Sequence, residues 1–504
     1  MQRRDFLQLA AASSAGWLAP KALADEFPMV IAGSDHAAMA HHMPAPAAVT
    51  PVGGPLPPLP SGEHLPALPL LANEAAESGL FRARLESAPL LAALWGDGRQ
   101  TAFWAYNASL PGPLIELWEG DQLEISFRNR LPQPTTVHWH GLPVPVDQDG
   151  NPHDPVAPGA QRQYRFTVPE GSAGTYWYHP HPHGHTSEQA FRGLAGALIV
   201  RSRNDPLRHL PEQHLLFSDL KLDADGQVAA NGAADLHDGR EGQYLLINGS
   251  WQPVIPLARG ERQRWRLWNA SSSRILKLAL PAHDVLLVGT DGGLLAAPQT
   301  IDSLLLAPGE RAELVVTGRF REGAQAGLIS QPYRRGKMMH AEQQQDEVLA
   351  GIMAHGMRPT QALPDTLRPI APLGTPGFRR RIEFSENMAD MNAMFLINGR
   401  SYDMNRIDGS GKVGRIEEWE IVGNAHMDHP FHLHGTQFQV QARTVDGVWE
   451  EEPFLAWRDV VNVAAGQTVR IRFVQQLPGL RMYHCHILEH EDQGMMAQID
   501  FLAE

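Results

Sequence analysis

The sequence predicts an all-β chain of three tandem β-sandwich domains, and three observations predict it. The first is an internal repeat with a period of roughly 150 residues, too long for a solenoid and right for a sandwich. The second is composition: 40 Pro and 46 Gly, with few polar-helical patterns, favour short strands joined by many turns. The third is the alternation of apolar and polar residues, broken by turn signals, that begins near Leu80.

The chain opens with Met1-Gln2-Arg3-Arg4-Asp5-Phe6-Leu7, an apolar run from Leu9 to Leu18, and Ala22-Leu23-Ala24. A twin arginine followed by a short apolar run and small residues reads as a Tat-type signal over residues 1–24. That run is too short to span a bilayer, and no later stretch is long enough. The expectation is a soluble periplasmic protein, exported by the Tat machinery, with no stable membrane insertion.

Residues 25–72 are rich in Ala, Pro, Met and His, as in Ser34-Asp35-His36-Ala37-Ala38-Met39-Ala40-His41-His42-Met43. They read as a disordered or extended arm, whose thioethers and imidazoles are suited to Cu(I). The three domains are expected at 73–205, 206–333 and 379–504. Their repeat shows in Tyr106-Asn107-Ala108, Ile247-Asn248-Gly249 and Ile397-Asn398-Gly399, each leading to an alternating stretch. It shows again in Ala157-Pro158-Gly159, Ala307-Pro308-Gly309 and Ala464-Ala465-Gly466. Residues 334–378 read as a linker of modest Met and His content, with a short helix expected over Leu349 to Met357. The formal charge of −14 comes without a basic run, which argues against nucleic acid and modestly favours cationic substrates.

Chemistry concentrates near the C-terminus, in His484-Cys485-His486-Ile487-Leu488-Glu489-His490-Glu491-Asp492-Gln493-Gly494-Met495. Cys485 is the only cysteine, so it closes no internal disulfide. A thiolate, two imidazoles and a weak thioether make a blue-copper electron-transfer site, and Cys485, His490 and Met495 supply three of those four ligands. On a strand, Cys485 faces one way while His484 and His486 face the other. A metal held by the sulfur is then joined covalently to metals on the histidine side.

Three more clusters follow the same logic: His138-Trp139-His140, His179-Pro180-His181 and His429-Pro430-Phe431-His432-Leu433-His434. In a strand each His-x-His pair presents two imidazoles to one side. Two clusters fall in the first domain and two in the third, and neither domain has enough ligands alone. A multinuclear metal site between those domains follows, with the second domain as spacer. Imidazole pairs alone suit zinc, copper or iron; beside a Cys/His/Met site they point to copper.

On these motifs, from about residue 80 to the C-terminus, the sequence resembles the bacterial multicopper oxidases with three cupredoxin-like Greek-key domains, among them the periplasmic cuprous oxidases and bacterial laccases. The resemblance implies four copper ions. Type 1 copper takes His429, Cys485, His490 and axial Met495. Type 2 takes His138 and His432. The two type 3 ions take His140, His179, His181, His434, His484 and His486. It further implies that one-electron donors, Cu(I) or phenolic and other aromatic molecules, supply four electrons that reduce O2 to water, in a role in copper tolerance. Asp149 and Glu491 stand where the family has acidic residues that relay protons or orient water. The cuprous oxidases carry an acidic residue four before the type 1 histidine. Here that position is Ala425, and Met427, on the face of His429, is the candidate for a substrate copper. The alternatives are a broad laccase without such a site and a periplasmic copper-sequestering protein.

Overall fold

The internal repeat is a repeated strand pairing. Leu80–Ala92 runs parallel to Gln122–Asn129, Glu212–Leu220 to Arg262–Asn269, and Phe378–Glu386 to Ile416–Asn424. In each copy a glycine turn with left-handed backbone, at Gly159, Gly309 and Gly466, leads into an antiparallel neighbour of the second strand. The Asn107, Asn248 and Asn398 turns repeat as well. Each asparagine has positive φ, a conformation that asparagine tolerates better than most residues, and its amide oxygen accepts the backbone N–H of Glu86, Leu216 or Glu383 on the first strand of its copy.

The computed structural model describes residues 56–325, 327–390 and 393–503. The expected signal and the arm as far as residue 55 lie outside the described residues. The first sandwich packs two four-stranded sheets, the second a seven-stranded on a five-stranded sheet, and the third a six-stranded on a five-stranded sheet. Each encloses its own apolar core, centred on residues such as Phe127 and Trp139, Trp265 and Leu314, and Trp419 and Phe431. Residues 56–72 are extended and packed: Leu70 bridges to Leu114 and His64 to Val254. Leu68 sits in an apolar cluster with Trp177 and Trp268.

The helix expected over Leu349 to Met357 is instead the end of a strand, Glu347–Met357. It pairs in parallel with Val254–Arg259 and antiparallel to Gly327–Gln331, so the second sandwich reaches well into the expected linker. Gly351 and Gly356 each cost a helix about 1 kcal/mol, while a vacant place beside two strands rewards extension. Among the described residues no helix is long and apolar enough to cross a membrane.

Candidate metal centre

The strand Gly479–Cys485 divides its side chains as alternation requires. Tyr483, Cys485 and Ile487 belong to the core of the third sandwich, together with Met495, Ala497, Ile499 and Phe501 from the neighbouring strand region. His484 and His486 point away from that core, toward the first sandwich. Met496 lies on the face opposite to Met495, so of the two methionines it is Met495 that shares the interior with Cys485.

On the sulfur side, His429 Nδ1 lies 3.4 Å from Cys485 Sγ, His490 Nδ1 lies 3.9 Å from it, and the two nitrogens are 3.2 Å apart. The outer nitrogens are both engaged. His490 Nε2–H donates to the His237 carbonyl at 3.0 Å, and His429 Nε2–H to Glu386 Oε1 at 3.1 Å. These bonds fix the tautomers so that both Nδ1 lone pairs face the sulfur. Burial pushes the Cys485 thiol well up and the His490 imidazole well down. The imidazole is therefore neutral, and a bound cation is what would make the thiol a thiolate.

On the other side, eight fully buried imidazoles meet across the two domains. His140 Nδ1 lies 3.3 Å from both His179 Nε2 and His486 Nε2. His484 Nε2 lies 3.2 Å from His181 Nε2 and 3.1 Å from His434 Nε2. His138 Nε2 and His432 Nε2 remain, buried with no hydrogen-bond partner. Burial, then neighbouring histidines, hold His140, His181, His432 and His434 well below the usual range. Burial brings His484 down to about 3.

The donor set fits copper. Two imidazole nitrogens bound at about 2.0 Å to a shared tetrahedral ion lie about 3.3 Å apart, which matches the two triads. Orphaned lone pairs on His138 and His432 are costly without a partner, and a cation between them removes the cost. Two triads, one pair, and one Cys/His/His group beside a methionine are four ligand groups.

The two predicted carboxylates are at the rim of this cluster. Asp149 is fully buried; its Oδ2 accepts from His434 Nδ1 at 3.1 Å, and its backbone carbonyl from His138 Nδ1 at 2.8 Å. Glu491 has Oε2 3.2 Å from His484 Nδ1 and Oε1 3.5 Å from His181 Nε2. Burial, reinforced by Asp492, raises its carboxyl well above the usual range.

Met427 does not stand at the surface. It is fully buried in the core of the third sandwich beside Phe384 and Met394, so the docking role expected for it has no accessible sulfur. What reaches solvent beside His429 is His426, whose side chain is 25 % exposed and bonds Glu386. His237 packs 5.4 Å from the His426 ring. Beyond it, Met338 and Met339 are exposed and donate their N–H groups to Asp238. Sequence reasoning missed Glu386, because it lies on a different strand 43 residues before His429. It missed Asp459 as well, whose carboxylate accepts from His140 Nε2 at 2.9 Å. His183, outside the matched pattern, is exposed and packs on Tyr402.

Three sequence models described as multicopper oxidase match residues 93–205, 214–326 and 379–502. The chain is 33 % identical over 402 residues to the multicopper oxidase mco of Staphylococcus haemolyticus, covering 78 % of this chain and 83 % of that one. A solved multicopper oxidase of Campylobacter jejuni, described as a metallo-oxidase, matches with a TM-score of 0.85 and 43 % identity over 88 % of this chain and 96 % of that one. A laccase-like multi-copper oxidase of an Ochrobactrum species, described as active towards lignin model compounds and lignosulfonate, matches with a TM-score of 0.74 and 30 % identity, covering 88 % and 100 %.

Proposed function

We propose, for a chain that belongs to the multicopper oxidase family and is therefore an oxidoreductase with O2 as acceptor, a full set of four coppers and a reductant site built on Glu386. His429, Cys485, His490 and Met495 would hold type 1 copper, and His138 and His432 type 2. His140, His179 and His486 would hold one type 3 ion, and His181, His434 and His484 the other. The observation that carries this reading is the alternation at Cys485, sulfur inward with His429 and His490, and flanking imidazoles outward in two different triads. When bound, the coppers accept electrons one at a time and reduce O2 by four.

The protein's own groups do the rest. Cys485 and its two neighbours give an electron a covalent path from the third sandwich to both triads. Asp149 and nearby carbonyls hold His138, His179, His432, His434 and His484 in the tautomer that leaves the Nε2 lone pair free. Glu491, wedged between His181 and His484, is positioned to pass protons into the cluster. Core packing around His429 and His490 excludes water from the sulfur. Met495 would keep the potential of a bound copper modest, since a thioether donates density that an apolar side chain lacks.

The reductant meets Glu386 and His426. Burial alone would raise the Glu386 carboxyl, but bonds from His426 and His429 hold it well below the usual range, so it is charged. A carboxylate one hydrogen bond from His429 favours a cationic donor, and exposed Met338 and Met339 offer thioethers of the kind Cu(I) prefers. We therefore read Cu(I) as the reductant and copper tolerance in the periplasm, after Tat export, as the setting. The second reading, a broad phenol oxidase, draws on the Ochrobactrum relative. Storage of copper without turnover is not favoured, since it needs neither the triads nor the Cys485 bridge. Steady-state O2 uptake with Cu(I) and with a phenol, with and without added Cu(II), tests the choice. Faster uptake with Cu(I), and phenol turnover stimulated by Cu(II), are expected; phenol turnover that ignores Cu(II) and exceeds Cu(I) turnover refutes it.

A further inference from the structure

We propose that Asp459 is a positioning residue for the histidine cluster, the counterpart of Asp149 from the opposite domain, and that Arg311 and Asp291 draw the second domain into holding that cluster. This rests on the ligand reading above and goes beyond it.

The two aspartates form a reciprocal clasp. Asp149, in the first domain, takes Nδ1–H of its own domain's His138 on its backbone carbonyl and Nδ1–H of the third domain's His434 on its carboxylate, at 2.8 and 3.1 Å. Asp459, in the third domain, takes Nδ1–H of its own His432 on its carbonyl at 2.7 Å. Its carboxylate takes Nε2–H of the first domain's His140 at 2.9 Å. In each case the backbone holds the domain's own imidazole and the side chain holds the other's. The rings obey the same pseudo-twofold relation: His138 stacks on His434 at 4.0 Å and His140 on His432 at 3.9 Å.

Room for both halves comes from one device. The pairs His138-Trp139-His140 and His432-Leu433-His434 are each followed by a glycine with left-handed backbone, Gly141 and Gly435. A Cβ on Gly141 would lie 2.4 Å from Asp459 Oδ2 and 2.5 Å from Arg311 Nη2; one on Gly435 would lie 2.5 Å from Arg481 Nη1. Only glycine permits both the conformation and the approach.

The halves differ in what stands behind them. Asp149 meets Arg481 at 3.5 Å, within the first and third domains. Asp459 is gripped by Arg311 through two bonds of 2.6 Å, and Arg311 belongs to the second sandwich. Asp291, also from that sandwich, accepts the Asp459 and Val460 N–H groups at 3.1 and 3.2 Å and the Arg311 N–H at 2.7 Å. All three side chains are fully buried. Bidentate guanidinium–carboxylate geometry is rigid, so the orientation of His140 is set from the second domain, which is then more than a spacer. Asp459 fixes Nε2 as the protonated atom of His140 and leaves Nδ1 for the metal, the reverse of His434, whose Nδ1 is held by Asp149.

The test uses full-length Asp459→Ala, Asp459→Asn and the double variant Asp459→Ala/Arg311→Met, which removes both partners of the Asp459–Arg311 pair together. Copper per chain, the blue absorption, the type 2 electron paramagnetic signal and the near-ultraviolet absorption of the type 3 pair are followed during copper titration of metal-free protein. Expected are a blue absorption at wild-type intensity in all three, and copper uptake at the histidine sites weakened about 10- to 100-fold in both alanine variants. Rescue is expected in Asp459→Asn, whose amide oxygen still accepts from His140. Unchanged uptake in the alanine variants overturns the inference alone. So does parallel loss of the blue absorption in both, which would make Asp459 a general fold residue. A wild-type chain without a type 2 signal overturns the ligand reading beneath it.

Discussion

Replacing Glu386 by glutamine separates the charge at the reductant site from its hydrogen bonds. Glutamine keeps an oxygen to accept the His429 Nε2–H, now 3.1 Å away, so the tautomer and the blue absorption should survive. What disappears is one negative charge beside the incoming donor. Two unit charges 4 Å apart interact by about 1 kcal/mol in water and about 4 kcal/mol at an effective dielectric constant of 20. Glu386 is nearly buried while its partner His426 is a quarter exposed, so an intermediate value of about 2 kcal/mol applies. That is about 30-fold in kcat/KM for Cu(I) at low salt, shrinking as salt screens the pair. A neutral phenol should change by less than about 3-fold, because the Coulomb part is absent. The assay is O2 uptake with each donor in both proteins at two ionic strengths. Any shift in potential caused by the lost charge acts on both donors alike, so the ratio of the two effects isolates docking. Equal losses for Cu(I) and phenol, or none for either, would refute the reasoning.

Three further outcomes are expected. Cys485→Ser should abolish the blue absorption and turnover with every donor while the type 2 electron paramagnetic signal remains, since the triads keep all their imidazoles; a surviving blue absorption would contradict the assignment. Glu491→Gln should slow O2 reduction by about 100-fold with the blue absorption intact, read as accumulation of reduced protein on mixing with O2. His283, in the second sandwich, accepts the Arg319 N–H on Nδ1 at 3.3 Å, and burial brings it down from 6.5 to about 4. Its folded value lies below its unfolded one, so its stability is complete above pH 6.5 and is lost as pH falls toward 4. At pH 5 this amounts to about 2 kcal/mol, and urea unfolding at pH 7 and pH 5 should show a smaller pH penalty for His283→Gln, which keeps an acceptor.

The sequence made legible whatever is set by local spacing. Alternation around Cys485 sorts its neighbours onto two faces whatever the rest of the chain does, and the His-x-His pairs at 138, 179 and 432 inherit the same period of two. The threefold repeat was legible because it recurs as turn chemistry, asparagine with a left-handed backbone and a glycine before the next strand. Glu347–Met357 was misread because apolar residues such as Leu349 and Ile352 three apart satisfy a helix as well as a buried strand. Pairing with Val254–Arg259 decided the matter, and a partner 97 residues away, Val254↔Gly351, leaves no local trace.

Residues that act by converging were hidden for the same reason, and Met427 shows the cost of treating spacing as surface. Two residues before His429, it lies in the bend ahead of that strand and is buried in the core of the third sandwich. The contact of His429 toward solvent runs through its Nε2 instead, to Glu386 on a strand of the other sheet and on to His426. Asp459 is hidden more deeply, because its partners His140, Arg311 and Asp291 come from two other domains. A weak signal was nonetheless present. His-x-His-Gly occurs twice, at 138–141 and 432–435, and a glycine repeated after such histidine pairs signals a close approach by something bulky. Asp149, found through the acidic position after the first pair, answers one of those glycine-bearing motifs across the domain boundary. The symmetry of the repeats then required a second carboxylate to answer the other, and Asp459 is the buried aspartate that does so.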